Sequence, residues 1–133
     1  MSDTAPVFSH ARSAALELPG AELTHPFGPA WDVWKVRGKV FALLTKEAGK
    51  PMVIVKSEPL TGETLRAEFP LITPGYHMNK KHWITLVDGL PANVIRELVT
   101  ESYRLVVAQL PRHSRPNDPE TFGRAKLREK TEE

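Results

Sequence analysis

The chain has 133 residues, no cysteine, 41% hydrophobic and 26% charged residues, and a formal net charge of +2 from 18 basic and 16 acidic side chains. That length and balance fit one domain with a core of its own, and exclude disulfide-held, thiolate-metal, fibrous and low-hydrophobicity disordered classes. The longest apolar run covers residues 40–44, far short of the roughly 20 residues of a membrane helix. Residues 1–6 lack the basic-then-apolar pattern of a secretion signal. A soluble, cytoplasmic protein without membrane contact is expected.

Residues 7–18 carry Phe8, Ala11, Ala15 and Leu18 at spacings of three and four, a helical stripe ended by Pro19-Gly20. Residues 21–25 read as a short strand, stopped by Pro26-Phe27-Gly28-Pro29. Residues 31–36 and 40–45 are aromatic and β-branched, and read as strands joined by the turn Arg37-Gly38-Lys39. Two registers are open: a two-residue turn pairs Val36 with Lys39, and a three-residue turn pairs Val36 with Val40 and sets Trp34 opposite Ala42. The second keeps apolar side chains together and is preferred. Trp31 and Trp34, three apart, face opposite sides of a strand.

Residues 51–56 form a further strand around Val53-Ile54-Val55. Ser57 reads as the N-cap of a helix that runs to Phe69, with Leu60, Leu65 and Phe69 inward and Gly62 a weak point. Residues 71–81 read as loop around Pro74-Gly75, and 82–88 as a strand closed by Asp88-Gly89. Pro91 opens a last helix to about Leu110, with Ile95, Val99, Tyr103, Val106 and Leu110 on one stripe. Residues 112–133 hold only three hydrophobic residues against six basic and five acidic ones. So little apolar surface does not offset ordering entropy, so the domain is expected to span 5–111, with 112–133 a flexible polar tail and a transient helix near 120–130. The order of elements predicts an α+β fold of two layers: an antiparallel sheet of about five strands, three helices mainly on one face, and the other face partly wet.

Two segments concentrate chemistry. Residues 35–56 hold six basic residues and one acid, a local +5, with Lys35, Arg37 and Lys39 around the hairpin tip. A basic hairpin suits phosphate backbones, although lysines at edges and turns also keep sheets from pairing with one another. Residues 74–83 bring together Tyr76, His77, Asn79, Lys80, Lys81, His82 and Trp83. That mix supplies stacking faces, hydrogen-bond donors and positive charge, as nucleic-acid or anion contacts require. The alternative is a structural loop with Met78 and Trp83 in the core. His77 and His82, five apart, do not match a helical metal pair, and no cysteine assists them, so no metal is expected. There is no Gly-x-Ser-x-Gly elbow and no glycine-rich phosphate loop. Glu97 and Glu101 share a helix face that reads as solvated. No enzyme activity and no cofactor are expected.

Three stretches together resemble a known family: His25-Pro26-Phe27-Gly28-Pro29, Val36-Arg37-Gly38-Lys39-Val40-Phe41-Ala42 and Pro74-Gly75-Tyr76-His77-Met78-Asn79-Lys80-Lys81-His82-Trp83. They are similar to the MmcQ/YjbR family of small bacterial proteins, as is Ser102-Tyr103-Arg104-Leu105-Val106-Val107, and the likeness covers about residues 8–111. The resemblance implies a two-layer α+β fold with an antiparallel sheet, sometimes described as a double wing and commonly assigned to DNA binding. It also implies likeness to type III secretion chaperones, which bind polypeptide, and it brings no catalytic residues. The expectation is a DNA-binding module of low sequence specificity, its hairpin a wing on phosphates and Tyr76, His77, Asn79, Lys80, Lys81, His82 and Trp83 a second contact. The alternatives are a protein or peptide partner, or a homodimer, on the open sheet face, and a small anion pocket near residues 76–83.

Overall fold

The computed structural model describes residues 5–122. Among them are three α-helices, α1 (Pro6–Leu16), α2 (Pro59–Glu68) and α3 (Ala92–Ala108), and six strands: β1 (Ala21–Thr24), β2 (Asp32–Val36), β3 (Lys39–Glu47), β4 (Lys50–Lys56), β5 (Thr73–Pro74) and β6 (Trp83–Val87). The strands make one antiparallel sheet in the order β1-β2-β3-β4-β6-β5. The α+β class is as expected. The strand beyond the expected five is β5, in the segment that the sequence reads as loop: Thr73 and Pro74 pair with Thr85 and Ile84 at the sheet edge, a place where a missing proline N–H does no harm. Among the described residues, no helix is long and apolar enough to cross a membrane.

The helical stripes face the sheet. α1 buries Val7, Phe8, Ala11, Ala14 and Ala15, and α3 buries Ile95, Val99, Tyr103, Val106 and Val107. Both close over Trp34, Val36, Ala42, Leu44, Val53, Val55 and Leu86 on what we term the front face. α1 has no side-chain cap of its own. Its Val7 N–H donates instead to Asp88 Oδ1 at 2.8 Å, from the turn after β6, and that carboxylate also suits the positive end of the helix.

α2 corrects two expectations. Ser57 is not its N-cap: it still belongs to the extended chain leaving β4, its N–H donating to the His82 carbonyl, and Glu58 holds the cap position. Leu60 is not inward but 77% exposed. The face that meets the sheet is Gly62, Leu65 and Phe69, and Leu60 lies about 200° around the helix from Gly62.

The hairpin contains both registers. Arg37 (φ 51°) and Gly38 (φ 81°) make a two-residue turn with both residues left-handed, the kind that matches strand twist. Val36 therefore pairs with Lys39, against the preferred reading. Trp34 nevertheless faces Ala42, because the register shifts between Trp34 and Lys35 and Phe41 becomes an extra residue on β3. Such a bulge turns two consecutive side chains the same way, and Phe41 and Ala42 both enter the front core. The β3–β4 register ends at Ala42↔Val55. At the next position Ser102 of α3 stands between the strands: its fully buried hydroxyl donates to the Phe41 carbonyl at 2.6 Å and accepts from the Lys56 N–H at 2.8 Å.

Tyr103 is the neighbouring hub. Its ring meets Phe41 edge-on, centroids 5.5 Å apart, and its hydroxyl donates to the Pro19 carbonyl at 2.5 Å and accepts from Asn117 Nδ2 at 2.9 Å. Residues 112–122 thus do not leave the domain at Pro111. Arg37 Nε donates to the Ser114 carbonyl, Arg104 holds the Pro119 carbonyl with two N–H groups, and Phe122 lies 5.6 Å from the Tyr103 ring. The hydrogen bonds to named partners anchor what sparse apolar content would not. The helix expected near 120–130 falls largely outside the described residues.

Replacing Ser102 by Ala leaves a buried N–H and a buried C=O without their partner. Urea unfolding is expected to show a loss of about 1–3 kcal/mol for each group left unsatisfied. Burial raises the Tyr103 pKa above its ordinary value of 10.0, a shift that the Asn117 hydrogen bond and the Arg37 charge partly offset. The folded chain therefore holds that proton more tightly than the unfolded one. Its contribution to stability is complete below pH 10 and is lost as the pH rises through the folded value. A Tyr103→Phe variant is expected to be less stable near neutrality and to lose less stability between pH 10 and 12, as followed by circular dichroism.

Candidate nucleic-acid interface

Side chains alternate across a sheet, so Val33, Leu43, Met52 and Ile54 point away from the helices. They are buried all the same, in a second cluster completed by Trp31, Val40, Tyr76, Met78, Trp83 and Val87. The back face is therefore not the open, partly wet surface that the sequence suggested. Fully burying one such side chain contributes roughly 1.5–3 kcal/mol, so covering the back face stabilises the domain in its own right. The cover is the segment between β5 and β6, together with Trp31. An open-face peptide or dimer site is corrected by the same finding, because the apolar centre of that face already has an occupant.

The cover is tied down by short-range bonds. Gly75 N–H donates to the Trp83 carbonyl at 2.8 Å, Tyr76 N–H to Thr85 Oγ1 at 3.0 Å, and Thr85 Oγ1 to the Pro74 carbonyl at 3.0 Å. Asn79 Oδ1 accepts from Lys81 N–H at 2.8 Å, an Asx-type turn. At the far end the His82 carbonyl accepts from Ser57 N–H at 2.8 Å. Gly75 is required by proximity: a Cβ there falls 2.6 Å from Trp83 Cβ and 3.0 Å from its carbonyl group. Tyr76 donates its hydroxyl to Glu47. That hydrogen bond, then desolvation and the Glu47 charge, hold its pKa above the ordinary tyrosine value.

The expected contact residues separate into three groups. Tyr76 and Trp83 are half-buried and pack on the second cluster, with the Lys56 ammonium 5.5 Å from the Trp83 ring centroid. Asn79 is committed to its turn. His77, Lys80, Lys81 and His82 are exposed on the outside of the cover. The hairpin divides as well. Val36 and Lys39 are opposed on the front side, and Arg37 Nε is bonded to Ser114. Lys35 shares the back face with Val40, its register partner. Lys56 lies on the same side opposite Trp83. Lys35 and Lys56 thus flank Val40 on the back face, at the end where the loop carrying Lys80 and Lys81 rejoins the sheet. Glu22 is the acid in that row, paired in register with Lys35. Lys56 belongs to the +5 stretch but was not among the contacts read from the sequence; strand parity from Ile54 identifies its side.

A second feature lies at the other end of the cover. The rings of Phe27, Trp31, His77 and Tyr76 follow one another with centroids 6.3, 6.5 and 4.0 Å apart. Of Trp31 and Trp34 it is thus Trp31 that lies on the back face, and Trp34 is 4% exposed in the front core. His77 has φ 61°, a left-handed conformation that costs a residue with a Cβ about 1–2 kcal/mol. Two clefts lie away from these residues. One of about 280 Å³ is lined by Phe8, Arg12, Asp32 and Lys46, and another of about 580 Å³ by Arg112, Arg115 and Asp118. Neither supports an anion pocket at residues 76–83. Among the described residues, no three His, Cys, Asp or Glu side chains gather in a metal-binding group.

The sequence model of the YjbR family matches residues 16–105, which take in both the hairpin and the cover. The chain is 44% identical over 99 residues to YbdF of Escherichia coli O157:H7, covering 73% of this chain and 81% of that protein. It is 37% identical over 100 residues to YjbR of Escherichia coli K12, covering 73% and 84%. Among solved structures, the Deinococcus radiodurans protein DR2400, a DUF419 domain, superposes with a TM-score of 0.75 at 36% identity, over 83% of this chain and 87% of that one. A Pseudomonas syringae protein, target PsR293, gives 0.61 at 28% identity, over 70% and 92%.

A Gly75→Ala substitution drives a methyl group into Trp83, and overpacking of this kind costs about 1–3 kcal/mol. Denaturant unfolding is expected to register that loss. Tryptophan emission is expected to shift to the red in the folded state as Trp83 and Trp31 gain water, while far-ultraviolet circular dichroism stays unchanged.

Proposed function

This chain belongs to the YjbR family, and we propose that it binds DNA through the phosphate backbone, using Lys35, Lys56, Lys80 and Lys81 on the back side of the sheet. The observation that carries this reading is the gathering of four lysines from three separate segments at one end of the cover. A near-neutral chain thereby presents a local positive surface. Lysines are point charges that neutralise phosphates without reading bases, so affinity is largely independent of sequence and falls steeply with salt.

The expected wing is reassigned in part. Arg37 is spent on the Ser114 carbonyl, and Lys39 faces the helix side, so neither belongs to the proposed contact. Asn79, Tyr76 and Trp83 act by shaping the loop that presents Lys80 and Lys81.

Fluorescence anisotropy with labelled DNA tests the reading. Four neutralised phosphates give a log–log salt slope of roughly −3 to −4. The double variant K80A/K81A is expected to lower affinity and make the slope shallower by about 2, with a smaller change of the same kind for K56A. Arg37→Ala and Lys39→Ala are expected to leave the slope unchanged. Absence of binding at 20 mM salt, or indifference to all the back-side lysines, overturns the proposal.

A further inference from the structure

The aromatic series on the cover has a use that the fold does not explain. Trp31 and Tyr76 rest on the second core cluster and are half-buried. The two rings set against them, Phe27 edge-on to Trp31 and His77 tilted against Tyr76, are a different matter. Phe27 is 67% exposed, and His77 is exposed at a backbone position where glycine is unstrained. A large apolar ring left in water and a side chain kept at a left-handed residue are both costs to the folded monomer. Backbone outliers of this sort accompany function.

From this we infer that the nucleic acid bound is single-stranded, with unpaired bases stacking on Phe27 and on the His77 ring while Lys80 and Lys81 hold the adjoining phosphates. The inference rests on the proposed DNA-binding reading and names its substrate class. The spacing supports it. Lys80 lies three residues after His77, within about 10 Å along the chain, and a stacked strand rises about 3.4 Å per nucleotide, so ring and ammonium reach neighbouring nucleotides of one strand. In a duplex both faces of each base are covered by its neighbours, so Phe27 and His77 have no base face to meet. Stacking platforms joined to a basic track are the chemistry by which single strands are held without sequence preference. Nothing in the site distinguishes deoxyribose from ribose, and the shared chemistry is that of an unpaired base beside a phosphate.

The test compares a labelled 12-nucleotide oligo-dT, an oligo-U of the same length and a 12-base-pair duplex at 50 mM salt, using the full chain. The single strands are expected to bind at least tenfold more tightly than the duplex. Phe27→Ala and His77→Gly are each expected to weaken oligo-dT binding on the order of tenfold and to leave duplex binding alone. His77→Gly separates the roles, because removing the left-handed strain is expected to hold or raise the melting temperature while affinity falls. Equal affinity for duplex and single strand, or ring variants that bind oligo-dT like the wild type while K80A/K81A does not, overturns this inference and leaves the phosphate reading standing. A wild-type chain that binds none of the three at 20 mM salt defeats both. A dimer in sedimentation that Phe27→Ala dissolves, with oligo-dT affinity unchanged, assigns the ring to contact between copies and also overturns it.

Discussion

One buried hydroxyl organises this fold. Ser102 Oγ replaces a rung of the β3–β4 ladder, satisfying the Phe41 carbonyl and the Lys56 N–H together. Had α3 offered an alanine there, the bulge at Phe41 would leave two backbone groups dry and unpaired, a state that native interiors avoid. With the serine present the bulge is tolerated, and the bulge lets Phe41 and Ala42 point into the same core. Tyr103 follows on the same helix, stacks edge-on against Phe41, and ties in both the turn after α1 and the segment after α3. Two adjacent residues of one helix thus join the middle of the sheet to regions near both ends of the described chain.

The sheet has two cores of unequal kind. The front is closed by helices, which supply their own backbone hydrogen bonds. The back is closed by an irregular segment whose backbone groups need partners from Thr85, Asn79, Trp83 and Ser57. A loop that must cover apolar side chains turns its apolar members inward and its polar ones outward. The same constraint that places Tyr76, Met78 and Trp83 on the core therefore lifts His77, Lys80, Lys81 and His82 into solvent. The structural and functional readings of residues 74–83 are not rivals, because each takes a different set of side chains.

Much of this is legible in the amino-acid sequence. The stripes of α1 and α3 are long and strictly spaced, and the strands from Asp32 to Lys56 are rich in residues that fit a pleated surface, so period and propensity agree. What escaped the sequence is of one type. The register at Trp34 depends on a bulge that a serine 61 residues away from Phe41 makes tolerable. The burial of Gly62 in place of Leu60 depends on how closely α2 approaches Ile84. The docking of residues 112–122 rests on side chains of Arg37, Arg104 and Asn117 meeting carbonyl and hydroxyl groups, which leave no hydrophobic period behind. Of the candidate contacts, residue types were legible and sides were not. Arg37 and Lys35 are two apart in sequence, yet one is bound to the Ser114 carbonyl and the other lies on the back face.

The cap of α1 has a consequence for the order in which the chain takes shape. α1 has 11 residues, shorter than the about 12–15 that an isolated helix needs to persist in water. The Val7 N–H in its first turn finds its carboxylate at Asp88, 81 positions later. During synthesis α1 leaves the ribosome before β1, yet its cap follows only after β6 has emerged. The earliest helix in the sequence is therefore among the last to be secured, and until then its apolar stripe, Phe8 included, stays in the open.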